Sequence, residues 1–378
     1  MDQQGRDMPD LRQPQGGTKK LHGIQVRSKA DIDAQNQMIE ARKAQEAAKK
    51  ERERERAKLD NAINPSAAER GEDGFAIPDP EHMTPEQSQE MLQVFALQQM
   101  DRLQKAAGQF QREHYELALD TLGPLITVLD DLAGKGPDAD PSVYDFKDEV
   151  DIELAQLTDA SFRPDGYMPS LGVQALGREL KADCLYYLDR ADEGLDTASK
   201  ALRWDPWNAQ IHLRRASFLD MKRDEDELEK ELERTYPLIA RDIDMAGYHF
   251  YRALNLIHTQ RIPLGVAHLV AFKDFDTDHE LADVDPMLAQ LDEGLHHPGV
   301  FAGIDSKEAK RRLRRAGEHY GPSETGKCAL MRALEKVVAA GQRDAVQDLA
   351  SRYRRLLKTQ GDHDRLEEIL AGKKDSEF

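Results

Sequence analysis

The chain is poor in the residues that build compact, chemically busy domains. Aromatic side chains make up only 6% of its 378 residues and apolar ones 39%, too little for one dense core and ordinary for a thin helical array. Two cysteines, Cys184 and Cys328, cannot form a disulfide framework or a metal-binding cluster. Both lie in helical patterns and are expected as buried free thiols. No window reaches the roughly 18 apolar residues that span a bilayer. The opening Met1-Asp2-Gln3-Gln4-Gly5 lacks the apolar run of a secretory leader, so a soluble, cytoplasmic protein is expected. There is no Gly-x-Ser-x-Gly, no His-Glu-x-x-His and no cysteine beside a plausible base. The sequence therefore predicts no enzyme, no catalytic residue, no cofactor and no metal site.

What is abundant is charge. A third of the residues are charged (33%), with a net charge of -18 that is unevenly spread. Residues 1–75 carry about +1, 76–304 about -23, 305–358 about +7 and the tail about -3. The acidic middle repels nucleic acid and anionic membrane, whereas the basic part attracts both. Residues 1–27, rich in Gln, Gly, Pro and charge, are expected to be disordered. Residues 28–63 contain no Gly or Pro and read as a single solvated helix of alternating charge. Its few apolar residues give weak support for a coiled coil. Residues 64–84, with Pro65, Pro78 and Pro80, read as a linker.

Thr84-Pro85-Glu86 is a helix start, with a threonine cap and proline at the first helical position. From there to residue 304 helical periodicity dominates. The predicted elements include helices to about Gln111 and from Tyr115, and one over Tyr144–Thr158. Leu122-Gly123-Pro124-Leu125-Ile126 and Thr235-Tyr236-Pro237-Leu238-Ile239 suggest a shared bend in second helices. Residues 274–304 read as irregular. Residues 305–372 return to basic helical hairpins that continue the stack, at about 306–318, 323–340, 344–359 and 363–371, with Gly341-Gln342 as a turn and 373–378 as a tail.

Within this stretch one pattern recurs. Ala182 is followed by Ala216 after 34 residues and by Ala253 after a further 37, and the first unit adds Gly194, Ala201 and a closing Asp205-Pro206-Trp207-Asn208. Such a period marks stacked helical pairs, and helices approach closely only where side chains are small. In these positions the chain resembles the tetratricopeptide repeat in its bacterial-type form, most clearly over residues 176–276. The resemblance implies an all-α solenoid of stacked hairpins, a non-enzymatic scaffold for protein–protein interaction, and a groove lined by the first helix of each pair. Carried onto this sequence, the groove residues are Asp183, Tyr186 and Tyr187; Arg214, Ser217 and Asp220; and Tyr251, Leu254 and His258. Glu179 and Asp183 stand where the carboxylate-clamp subgroup has Lys and Asn, so the implied partner is a basic or amphipathic segment, not a chain terminus. The tyrosines could equally pack between repeats.

Three further motifs bear on function. Lys307, Lys310, Arg311, Arg312, Arg314 and Arg315 form a basic patch that, with the run 49–58, offers an alternative: an RNA- or ribosome-associated factor. No aromatic platform accompanies it. Gly321-Pro322-Ser323-Glu324-Thr325-Gly326-Lys327 fits a phosphate-cradling loop, but Cys328 replaces the Mg²⁺-binding hydroxyl and a basic helix stands where a strand belongs; a helix cap is expected instead. Asp274, Asp276 and Asp278 mimic a Ca²⁺ loop that lacks the turn glycine and the bidentate Glu.

Overall fold

The computed structural model describes residues 100–132, 143–163, 168–169, 173–276, 281, 283–294, 301 and 303–372. The expectations for the N-terminal arm, charged helix, linker, helix start at Thr84 and C-terminal tail fall outside these residues. Among the described residues the protein is all-α, apart from one two-residue parallel strand pair. A helix over 100–110 (α1) leads to α2 (Tyr115–Leu132). An inserted segment carries β1 (Val143–Tyr144), α3 (Glu149–Thr158) and β2 (Met168–Pro169). Three hairpins follow: α4 (Gln174–Tyr187) with α5 (Ala191–Trp204), α6 (Ala209–Lys222) with α7 (Glu225–Thr235), and α8 (Asp242–His258) with α9 (Ile262–Phe275). The chain ends with α10 (Asp285–Gly294), α11 (Ser306–Ala316), α12 (Glu324–Ala339), α13 (Arg343–Leu356) and α14 (Gln360–Leu370).

Each hairpin turns on the same backbone device. One residue takes a left-handed conformation: Glu113 (φ 61°), Asp189 (57°), Arg223 (58°), Gln260 (64°) and Gly341 (68°). The next residue then donates its N–H back across the end of the first helix. His114 donates to the Gln109 carbonyl (3.0 Å), Arg190 to Leu185 (3.0 Å), Asp224 to Leu219 (3.1 Å), Arg261 to Leu256 (2.7 Å) and Gln342 to Val337 (3.0 Å). These bonds satisfy carbonyls that a helix end otherwise leaves without partners. Asp189, Arg223 and Gln260 recur at the same 34- and 37-residue steps as Ala182, Ala216 and Ala253.

The small residues sit where helices cross. Ala182, Ala201, Ala216 and Ala253 are buried to within 1%. A methyl group on Gly194 would lie 2.1 Å from the Phe218 ring, so α5 meets α6 at van der Waals distance only because this residue has no side chain. Gly265 on α9 is pressed in the same way against Ile257 and the Ala253 carbonyl of α8. The first helices α4, α6 and α8 adjoin one another, and each second helix packs on its own partner and on the next unit. This nearest-neighbour pattern is that of stacked hairpins. Pro206 ends the first unit, and its carbonyl accepts a hydrogen bond from His212 Nε2 at 2.9 Å.

Three local expectations are corrected. Residues 144–148 are not helical: Val143 and Tyr144 pair with Met168 and Pro169, and α3 begins only after Asp148. Asp148 caps it, accepting from the Val150 N–H at 2.9 Å, while Tyr144 and Phe146 join Phe162 and Trp207 in an aromatic cluster. Capping and ring burial together override helical periodicity here. The two Pro-containing segments do not share a bend: α2 runs through Pro124, whereas Pro237 opens a 3₁₀ turn after α7 has ended. Residues 274–304 contain a helix, α10, whose Met287, Leu288 and Leu291 join the main core.

The C-terminal helices both extend the stack and double back on it. Helix α11 packs on α9 as a further layer. Helix α12, by contrast, lies on α3 and on the 236–238 turn, and α13 reaches α8. Lys336 of α12 pairs with Glu149 (3.1 Å) and Glu153 of α3; Arg352 of α13 pairs with Asp148 (2.5 Å), and Arg355 with Asp242 (3.3 Å). Beneath these ties Ala329, Leu330, Ala333 and Leu334 are wholly buried.

Candidate functional site

The first-helix face shared by α4, α6 and α8 gathers most of the residues that sequence reasoning assigned to a groove, and ties them to one another. Arg214 Nε donates to Asp183 Oδ1 at 2.6 Å, and its guanidinium carbon lies 4.5 Å from the centre of the Tyr186 ring. Tyr251 lies near enough to Tyr186 and Arg214 to interact electrostatically with both. Ser217 donates to the Arg214 carbonyl at 2.6 Å. Asp220 Oδ1 and His258 Nδ1 lie 3.6 Å apart at the far end. The result is a polar ribbon running across three first helices. Burial raises the Tyr186 and Tyr251 hydroxyl pKa values, while Asp183, working against burial, holds Arg214 firmly in its charged form.

Two of the nine sit apart from this ribbon. Tyr187 is 39% exposed and stacks on Tyr115 of the preceding hairpin, with ring centres 4.7 Å apart and planes 6° from parallel. Phe110 closes edge-on at 5.6 Å. Leu254 belongs to the hydrophobic core, at 5% exposure. Of the two thiols Cys184 is buried, and its pKa is pushed up to about 12 by burial and then by Asp183; Cys328 is half-buried.

The basic patch divides by helical face. Ala309 and Leu313 are buried, Arg311 and Arg312 pair with Glu308, and Lys307, Lys310, Arg314 and Arg315 are exposed. The phosphate-loop lookalike proves to be a helix start. Ser323 caps α12 by accepting from the Gly326 N–H at 2.9 Å. A methyl on Gly326 would come within 2.1 Å of the Ile239 carbonyl oxygen. That glycine is needed for close helix packing, which accounts for it without a phosphate. In the Ca²⁺-loop lookalike, Asp274 accepts from Ser306 Oγ (2.7 Å) and Tyr320, and Asp276 from the Leu281 N–H (3.4 Å). Asp278 lies outside the described residues. Among the described residues no group of three or more His, Cys, Asp or Glu side chains is placed to hold a metal.

Sequence reasoning missed a buried polar chain between α8, α9 and the loop after α11. His249 Nε2 donates to the Tyr320 carbonyl (2.9 Å), and its Nδ1 shares a 2.8 Å hydrogen bond with His268 Nδ1. His268 Nε2 lies 3.5 Å from Glu318, whose carboxylate also receives Arg252 Nε (3.0 Å) and Nη2 (2.8 Å). Burial, and then the neighbouring imidazole of His268, push the His249 pKa well below the usual value. Against its own burial, Glu318 is held down at about 2 by His268 and Arg252. A second buried set gathers acids around β1, α3 and α4. Asp145 accepts the Ala175 N–H at 2.6 Å, and burial followed by Asp148 raises Asp151 to about 7. Neither set has a sequence signature, since single His and Asp residues on helices usually mark solvent or satisfied core.

The chain matches no protein-family profile, no curated protein and no solved structure. No helix among the described residues is long and apolar enough to cross a membrane.

Proposed function

We propose that this chain is a non-enzymatic, tetratricopeptide-like scaffold of the cytoplasm that holds a basic or amphipathic segment of a partner protein against the shared face of α4, α6 and α8. The observation that carries this reading is the polar ribbon from Asp183 to His258. Arg214 is held by Asp183 and against the Tyr186 ring, and Ser217 by the Arg214 carbonyl, so a partner meets these side chains already ordered and less rotamer entropy is lost on binding. Exposed Tyr187, outside the ribbon but edge-on to Tyr186, adds an aromatic anchor of the kind enriched in binding hot spots. The acidic middle of the chain favours a positively charged segment and would speed its encounter.

The test is affinity capture from a cell extract with the wild-type chain, with Tyr187→Ala, and with Asp183→Asn plus Arg214→Gln. Loss of the main captured protein in the variants, with helical circular dichroism unchanged, supports the reading. An identical captured set from all three chains removes it. The alternative, an RNA- or ribosome-associated factor, draws support from exposed Lys307, Lys310, Arg314 and Arg315. A gel shift with single-stranded RNA at two salt concentrations decides it, because phosphate-driven binding must weaken as salt rises.

A further inference from the structure

A cavity of about 500 Å³ opens between the end of α9, the end of α11, the start of α12 and the α13–α14 connection. That size falls in the range of small-molecule sites, roughly 300–1,000 Å³. Its walls combine rings and cations. Tyr236 and His319 stack with centres 3.6 Å apart and planes 8° from parallel, and Phe275 and Tyr320 meet 6.0 Å apart. Lys310, Arg314, Lys327 and Lys358 supply positive charge from three separate elements.

The charges around this cavity do not cancel. Lys310 Nζ lies 4.9 Å from the centre of the Tyr320 ring and has no carboxylate partner among the described residues. Arg314 is exposed and forms no ion pair among them either. Lys358 donates to the Asp274 backbone carbonyl, a neutral acceptor, with its ammonium 4.9 Å from the Phe275 ring. Lys327 alone has an acid, Glu324, in an exposed pair one helical turn away, which contributes little. Of the three lining acids Glu318 is paired with Arg252, whereas Asp362 and Asp274 accept from hydroxyls and keep their charge, so the four cations outnumber the acids of the wall. Lys310, Arg314 and Lys358 therefore line the cavity without forming an ion pair among the described residues, and rings lie beside them.

We propose that this cavity binds a phosphate-bearing small molecule of mononucleotide size. Its phosphate would be held by Lys310, Arg314 and Lys358, and its flat portion would lie against the Tyr236–His319 wall. Arg314 suits this role because a guanidinium can present two parallel N–H donors to a phosphate. The phosphate is held by side chains, not by a backbone cradle, since Gly326 is already packed on Ile239. The site is independent of the partner-binding face proposed above.

Isothermal titration with adenosine monophosphate, inorganic phosphate and adenosine tests it on the full chain. Both phosphates should bind and adenosine should not, and binding should weaken as salt is raised. Lys310→Glu and Arg314→Glu alter exposed side chains and should leave the melting temperature unchanged while weakening monophosphate binding at least tenfold. Absence of phosphate or monophosphate binding at millimolar concentration overturns the proposal. So does binding that both variants leave intact, or binding of single-stranded RNA alone.

Discussion

Replacing Gly326 by alanine should unfold the protein more readily than its small size suggests. The added methyl would lie 2.1 Å from the Ile239 carbonyl oxygen, where ordinary contact begins at 3.4 Å. Helix α12 must therefore retreat by about 1.3 Å, or the 239 backbone must yield by the same amount. Because the obstacle is backbone, no rotamer change can relieve it. Retreat would loosen Leu330 and Leu334, both wholly buried, and stretch the 3.1 Å hydrogen bond that Ser323 Oγ donates to the Pro237 carbonyl. Overpacking of this kind costs about 1–3 kcal/mol, and the upper end applies here. At about 2–4 °C per kcal/mol for a domain of this class, the melting temperature should fall by roughly 6–12 °C. Gly108 provides the contrast: it lies inside α1, and a methyl added there would meet nothing within 4 Å. Gly108→Ala should raise stability by about 0.5–1 kcal/mol, because chiefly the backbone-entropy cost of glycine changes. Urea unfolding of both variants, followed by circular dichroism, makes the comparison. A Gly326→Ala protein as stable as wild type would refute the packing argument.

Gly194→Ala and Phe218→Leu should each destabilise, but the double variant should lose less than their sum, by more than about 0.5 kcal/mol, because the smaller side chain makes room for the methyl; strict additivity would mean that α5 and α6 do not meet there. His249 is buried in its neutral form, with a folded pKa below its unfolded value. Below about pH 6.5 the unfolded chain takes up a proton that the folded one refuses, so stability is full above that pH and falls below it by up to roughly 1.4 kcal/mol per pH unit. The stability difference between wild type and His249→Leu should thus narrow from pH 7.5 to 5.5; a constant difference would contradict the neutral assignment. Arg252→Met should cost about 3–5 kcal/mol in urea unfolding, since it leaves buried Glu318 without its two-point partner, and an effect under 1 kcal/mol would show that the pair carries little. Gln260→Gly removes side-chain strain of about 1 kcal/mol from a left-handed turn. It should be neutral to stabilising, whereas Gln260→Val should lower the melting temperature.

The sequence by itself determined the local and the periodic. The 34- and 37-residue steps of Ala182, Ala216 and Ala253 located three hairpins, because small residues must occupy helix crossings wherever they occur. Turn and cap chemistry, as at Gly341 and Ser323, is likewise written in a few adjacent residues. It misled at Tyr144–Lys147, where a helical pattern yields to strand pairing and ring burial with partners about 20 to 60 residues away. Only the tertiary structure decided which polar residues belong together. Arg214 with Asp183 crosses 31 positions, His249 with Tyr320 crosses 71, and Arg352 with Asp148 crosses 204. No period links such residues, because each pair is set by how helices pack and not by the repeat along one helix. The return of α12 onto α3, and the cavity whose cations come from three separate elements, are products of that packing.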